Sequence, residues 1–330
     1  MNVDVKEKKH KTKLGQFFTK KDVWLRQHIK DFIINSKTKI VYDPFAGNGD
    51  LLSVVKNFGY EKTIGLDIDK KLKWEINDSL VNIPHIDNAI IITNPPYIAK
   101  QSATRHRINL KKYYNSTIYD DIYLLALDKM LEAQDYVVAI IPESFINSIY
   151  KQKNKLYSIT ILEENPFEDT ENPVCVACFD GCEKTFEKIK IYKEDKYINN
   201  LAYFENLRLE PKNDINISFN DKKGWLALRA TDSSNGQDVI HFCFKKDMDY
   251  DFEKNIKVSS RHISLLNIDV KTRDREKFIN ESNKIIAELR ANTSDIIFTP
   301  FKGNTKFGIR RRRLDFRLAR AILEKAYNLI

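Results

Sequence analysis

Before residue 181 the chain repeats one pattern seven times: a short run dense in Ile, Val and Tyr, closed by a turn-forming residue. The runs are "KIVYDPFA", "KTIGLDID", "WEINDSL", "AIIITNPP", "DYVVAIIP", "YSITILEE" and "PVCVACFD". They do not alternate apolar with polar, so they suit strands buried on both faces, as a parallel sheet requires. Between them "DLLSVVKNFGY" and "DDIYLLALDKMLEA" place apolar residues at helical spacing and supply the crossovers. This predicts an α/β sheet domain of about seven strands. Beyond about Glu183 the pattern gives way to Asn-rich turns such as "EPKNDINISFNDKKG" and two long helical stretches. The expected organisation is a flexible basic tail over 1–13, a sheet domain over 14–183 and a smaller second region over 184–330.

With 330 residues, 42% of them hydrophobic, the chain can bury a sizeable core. No run of about eighteen apolar residues occurs, and no apolar stretch follows the lysine-rich start, so neither membrane spanning nor secretion is expected. A cytoplasmic protein follows. Cys175, Cys178 and Cys182 are close in sequence, but a strand points residues three apart to opposite faces, so Cys175 and Cys178 cannot chelate one ion from "PVCVACFD". No metal is expected.

The formal charge of +9 is unevenly placed. From Lys257 onward 17 Lys and Arg face 8 Asp and Glu, and the rest of the chain balances. A localised surplus of this kind favours a polyanionic partner over a merely solvated basic face.

Chemistry concentrates at the ends of the predicted strands. "YDPFAGNGD" follows the first strand and opens a helix, with Gly47 and Gly49 where the chain must turn tightly and a ligand can approach the backbone. Asp43 and Pro44 precede the turn. A buried-edge acid there suits a cationic ligand better than a pyrophosphate, and the third glycine of a dinucleotide fingerprint is absent. Asp67, in "GLDID", stands about twenty residues on, a spacing suited to the two hydroxyls of a ribose. Asp69 is expected to cap a following helix. Asp78, in "INDSL", is placed to accept a bond from an adenine amino group. Taken singly each acid is more often a cap or turn residue; three after three successive strands are harder to dismiss.

The fourth run ends in "TNPPYIAK". Pro95 and Pro96 fix φ and remove two backbone donors, which leaves nearby carbonyls free to accept. The Asn94 amide oxygen and the Pro95 carbonyl can then hold both hydrogens of an exocyclic amine and aim its lone pair. Tyr97 offers a face for a planar ring, an interaction worth about 1–3 kcal/mol per base. A rigid turn with a half-buried tyrosine is the plainer alternative.

These residues resemble the S-adenosylmethionine-dependent DNA methyltransferases that modify amino groups, specifically the adenine-N6 type. "NPPY" looks like their catalytic motif, with Asn94, Pro95, Pro96 and Tyr97 in that role. "DPFAGNGD" is similar to their cofactor loop, which implies cofactor contacts for Asp43, Pro44, Ala46, Gly47 and Gly49. "GLDID" is similar to their ribose-binding motif, which adds Asp67 and Ile68, and the same pattern gives Asp78 and Asn94 a place at the cofactor. "LGQFFTKKDVWLRQHI" resembles the segment beside the methionine end, implying Phe18 and Thr19. With this element first and the recognition region last, the order is the gamma arrangement. "DDIYLLALDKML", "IIPESFINS" and "NPFEDTENPVCVACFD" follow in the family's order, so the resemblance spans roughly 14–182. It implies a Rossmann-like class I methyltransferase sheet and a C-terminal DNA-recognition domain. Phe167 would stack on a flipped base opposite Tyr97, against the alternative of core packing.

The expected activity is sequence-specific adenine-N6 methylation of double-stranded DNA, with S-adenosyl-L-methionine as donor, in a restriction-modification system. A separately acting cognate endonuclease is the implied partner, and a monomer the expected state. Cytosine-N4 methylation presents the same two hydrogens to the same turn and is the nearest rival. An RNA or protein-glutamine methylator is disfavoured by the basic region after residue 257, which a small amide methylator would not need. A DNA-binding protein on an inactive scaffold would not need Asp43, Asp67, Asn94 and Tyr97 together.

In the last stretch, "GIRRRRLDFRLARAILEKAY", Arg310, Arg313, Arg317 and Arg320 are spaced three, four and three apart. On one helix they share a face, beside a stripe of Leu314, Leu318 and Ile322. That face is the expected DNA contact. "AKQSATRHRINLKKYY" and "FTPFKGNTKFG" are two further candidate contacts, the first equally readable as a disordered loop.

Overall fold

The computed structural model describes residues 22–167 and 171–330. Two compact units divide after Ala202. The expected tail over 1–13, and Phe18 and Thr19, lie outside the described residues.

The first unit is built on a nine-stranded sheet in the order β3-β2-β1-β4-β5-β7-β6-β8-β9. Its strands are β1 (Ile40–Asp43), β2 (Lys62–Asp67), β3 (Glu75–Ile76), β4 (Ala89–Thr93), β5 (Tyr136–Pro142), β6 (Leu156–Ile161), β7 (Val174–Asp180), β8 (Lys190–Lys193) and β9 (Lys196–Asn200). All seven runs read from the sequence are strands. β1 to β5 pair in parallel, and β7 inserts antiparallel between β5 and β6. β4 shows why the runs lack alternation, since all five of its residues are buried. Burying Ile90, Ile91 and Ile92 is worth about 1.5–3 kcal/mol each.

Helices α1 (Gln27–Asn35) and α2 (Asp50–Val55) share a core with the sheet through Ile29, Phe32, Leu51 and Val55, while α5 (Ile122–Ala133) packs against β5. Between β4 and α5, two short helices, α3 (Lys100–Arg105) and α4 (Lys111–Tyr114), close over a small core of Ile98, Ala103, Tyr113, Tyr114, Ile122 and Leu125. The segment after "NPPY" is therefore structured and not a disordered loop. Cys175 and Cys178 are both buried in β7.

The sheet does not stop at the expected boundary of 183. β8 pairs in parallel with β6 and β9 returns beside β8, which carries the first unit on to Ala202. "KIYK" and "KYINN" are too polar and too short to stand out from a loop.

The second unit contains an antiparallel sheet in the order β10-β13-β11-β12, formed by Ile217–Phe219, Leu226–Arg229, His241–Phe244 and Ile263–Ile268 for β10, β11, β12 and β13. The long helices α6 (Arg275–Thr293) and α7 (Phe316–Tyr327) pack on each other, and α6 also packs on β12. A separate hairpin pairs β14 (Thr299–Asn304) with β15 (Arg310–Arg313).

That hairpin corrects the reading of the arginine run. Arg310–Arg313 is strand, and the helix begins only after Asp315, whose carboxylate caps it by accepting from Leu318 N at 2.9 Å. Arg310 and Arg313 cannot share a helix face with Arg317 and Arg320. Arg310 is buried, Arg317 pairs with Glu210, and Arg320 donates to the carbonyls of Ile215 and Ile217. The apolar stripe does turn inward: Leu314, Leu318 and Ile322 are buried.

Candidate active site

In a parallel sheet the carboxyl ends of neighbouring strands lie along one edge, and the order β3-β2-β1-β4 brings four of the expected polar residues to it in a row. Asp43 and Asp67 close β1 and β2, Asp78 follows β3, and Asn94 follows β4.

Asp43 is 2% exposed. One carboxylate oxygen accepts from Phe45 N at 3.0 Å and from Thr93 Oγ1 at 2.6 Å. Burial pushes its pKa up to about 7, against the opposing pull of these two hydrogen bonds. Thr93 is itself fully buried and directly precedes Asn94, so one side-chain bond ties the end of β1 to the turn after β4.

Asp67 binds the loop instead of projecting free. Its Oδ2 accepts from Gly47 N at 2.8 Å and its Oδ1 from Asp69 N at 2.9 Å. Each oxygen retains acceptor capacity. Gly47 and Gly49 both have positive φ, and a Cβ on Gly47 would meet nothing within 4 Å, so the backbone there opens onto free space. Ile68 is exposed beside Asp67, an apolar face on the same edge. These features fit an adenosyl group: an open glycine backbone, a diol acceptor and an apolar wall. Asp69 caps no helix; its carboxylate accepts from Lys71 N within a turn.

Trp74 went unremarked in the sequence, although a tryptophan in the polar run "DKKLKWEI" is a signal. Its indole N–H donates to Gly47 O at 2.7 Å. Its ring lies 2.6 Å from where a Cβ on Gly49 would stand and 2.5 Å from one on Gly65. Both glycines are required by this ring, which braces the glycine loop between β1 and α2 against β2.

Asp78 accepts from Lys112 Nζ at 2.8 Å and Tyr113 Oη at 2.9 Å, both on α4. The third acid thus also anchors the segment that follows "NPPY".

At the turn itself, the Tyr97 hydroxyl lies against Asn94 Oδ1 and 2.6 Å from the Ile140 carbonyl. Its single proton can serve only one of them at a time. Burial, with Cys175 and Tyr123 close by, pushes the phenol well above its usual range and keeps it neutral. Phe167 is buried, and its ring centroid is 6.3 Å from that of Tyr97 at an interplanar angle of 58°. A base between two parallel faces needs about 7 Å. The two rings are brought together, but in this arrangement they touch each other and leave no slot. Arg310, Arg313, Arg317 and Arg320 belong to the second unit.

Residues 19–171 match the family model of the Eco57I restriction-modification methylase. No curated protein matches the chain by sequence. Among solved structures, the type I restriction-modification methyltransferase subunit of Streptococcus thermophilus is 13% identical, covering 58% of this chain and 52% of its own, with a TM-score of 0.39. The chain thus spans about half the length of that subunit. A Listeria monocytogenes protein provisionally assigned as a class I S-adenosylmethionine-dependent methyltransferase is 13% identical over 53% of this chain and 67% of its own, with a TM-score of 0.38. The EcoKI M protein of a type I restriction enzyme is 12% identical over 79% and 68%, at 0.35. These likenesses are too distant to bear on individual residues.

Proposed function

We propose that the chain is an S-adenosylmethionine-dependent methyltransferase of the restriction-modification type, a reading supported by the Eco57I methylase match over residues 19–171, and that it methylates N6 of an adenine flipped out of duplex DNA. The observation that carries the reading is the juxtaposition at one sheet edge. Asn94, in the proline-stiffened turn, stands one residue from Thr93, whose hydroxyl holds the Asp43 carboxylate of the glycine loop at 2.6 Å.

The bound donor supplies an electrophilic methyl on a sulfonium. Gly47, Gly49, Asp67 and Ile68 would hold its adenosyl part, with Pro44 and Ala46 shaping the loop; Phe18 and Thr19 remain candidates for the methionine end. Asp43, in its ionised form, would offset positive charge. Asn94 Oδ1 and the Pro95 carbonyl would accept the two N6 hydrogens and direct the nitrogen lone pair, so that chemistry is mostly alignment and electrostatics. An arriving amine must take the place of the Tyr97 hydroxyl at Asn94, and the hydroxyl keeps the Ile140 carbonyl as its acceptor. The freed ring can then turn its face to the base, and Phe167 can serve as the opposite face once the 58° tilt closes. A flipped base costs a few kcal/mol of unstacking, which aromatic contact offsets.

Asn94→Ala should abolish methyl transfer to duplex DNA, by more than about a hundredfold, while leaving DNA binding intact. Near-normal transfer by that variant would refute the assignment.

A further inference from the structure

With the arginine helix dissolved by the structure, the basic surplus of the second unit needs another outlet. We infer that the β14–β15 hairpin, tipped by Lys306 and Phe307, is the element that enters a groove of duplex DNA. The inference rests on the proposed DNA substrate and names the surface that would grip it.

The charge is one-sided. From Ile296 to Leu314 the chain carries Lys302, Lys306 and Arg310 to Arg313 and no Asp or Glu at all. Alternation along β15 divides the arginines: Arg310 and Arg312 are buried, while Arg311 and Arg313 are half-exposed on the other face. Arg311 lies over the Phe301 ring at 4.7 Å.

The root is rigid. Arg312 N donates to Asp232 Oδ2 at 2.9 Å, and Asp232 N donates back to Arg312 O at 3.1 Å. Asp232 in turn accepts both terminal nitrogens of Arg290, at 2.8 and 3.0 Å, and Arg290 also reaches Asp295. Burial works to lower the Arg290 pKa, and the two carboxylates more than reverse it.

The tip is ordered and turned outward. Thr305 N donates to Ile309 O at 2.8 Å, Gly308 N donates to Thr305 O at 2.9 Å, and Lys306 N donates to Ser234 O at 2.9 Å. On this frame Phe307 is 67% exposed and Ile309 58%, with Lys302 and Lys306 exposed beside them. Phe307, its ring resting at Gly236, and Ile309 form an exposed apolar pair rimmed by lysines, a placement that favours a partner. A two-stranded antiparallel ribbon fits the major groove, lysines meet phosphates, and an apolar wedge can part a base step.

The test is binding to a short duplex of mixed sequence, followed by fluorescence anisotropy between about 50 and 200 mM salt. Lys302→Ala/Lys306→Ala should reduce the slope of log affinity against log salt by about two. Phe307→Ala should weaken binding about tenfold with that slope unchanged. Both variants should keep donor binding and the wild-type melting temperature, because the tip contributes little to the core. If both bind duplex as the wild type does, the hairpin assignment is overturned while the methyltransferase reading stands. If the wild type neither binds nor methylates duplex, that reading falls and the hairpin with it. Capture of the wild type by phosphatidylserine vesicles but not by duplex would likewise overturn the inference.

Discussion

Thr93 is the residue on which the end of β1, ahead of the glycine loop, meets the proline turn after β4, and nothing in its local sequence announces it. Its partner Asp43 lies fifty residues earlier. Thr93→Val removes a bond that holds the Asp43 pKa down, so the midpoint near pH 7 should move upward, and Thr93→Ser should restore it. If donor binding needs ionised Asp43, donor affinity rises with pH through about 7 and falls up to about tenfold per unit below it. Calorimetry at pH 6 and pH 8 checks this; equal affinity at the two would contradict it. The same shift bears on stability. Because the folded pKa is raised above the unfolded 3.8, the folded state holds the proton more tightly, and its advantage is complete below about pH 4 and lost as pH rises through about 7. The loss is on the order of 4 kcal/mol. Asp43→Asn should therefore melt higher than wild type at pH 8, by a margin that shrinks towards pH 4, while binding the donor less well. The glycines, the aspartates and "NPPY" were legible because each changes what a backbone can do or carries a strand-end acid. Thr93 and Trp74 were not, since their roles depend on partners that only the fold supplies.

Among elements, the strands of the first sheet were readable because both of their faces are buried and β-branched runs have few other uses. The second sheet was not, its strands being three to six residues long and broken by turns. The arginine run shows a different failure, a helical period counted straight through Asp315. The capping residue was itself the signal that the helix starts there. Asp315→Ala should cost about 1 kcal/mol in denaturant unfolding, because it removes both the cap to Leu318 N and the acceptor of the Thr299 hydroxyl, and no measurable change would contradict the capping role. At the glycine loop, Gly65→Ala sets a methyl against the Trp74 ring and the Ala46 methyl. A loss of about 1–3 kcal/mol is expected, with weakened donor binding because the braced loop must shift.

For the molecule as a whole, the α/β sheet lies in the unit that ends at Ala202 and the basic surplus in the unit that follows it. The division falls later than composition suggested, because β8 and β9 extend the first sheet with residues polar enough to pass for linker. The most direct measurement on the central claim is to incubate the protein with unmodified duplex DNA and methyl-labelled S-adenosylmethionine, digest the DNA to nucleosides and separate them. The label is expected in N6-methyldeoxyadenosine, and to vanish with Asn94→Ala. Label found only in N4-methyldeoxycytidine, or in no nucleoside at all, would contradict the account.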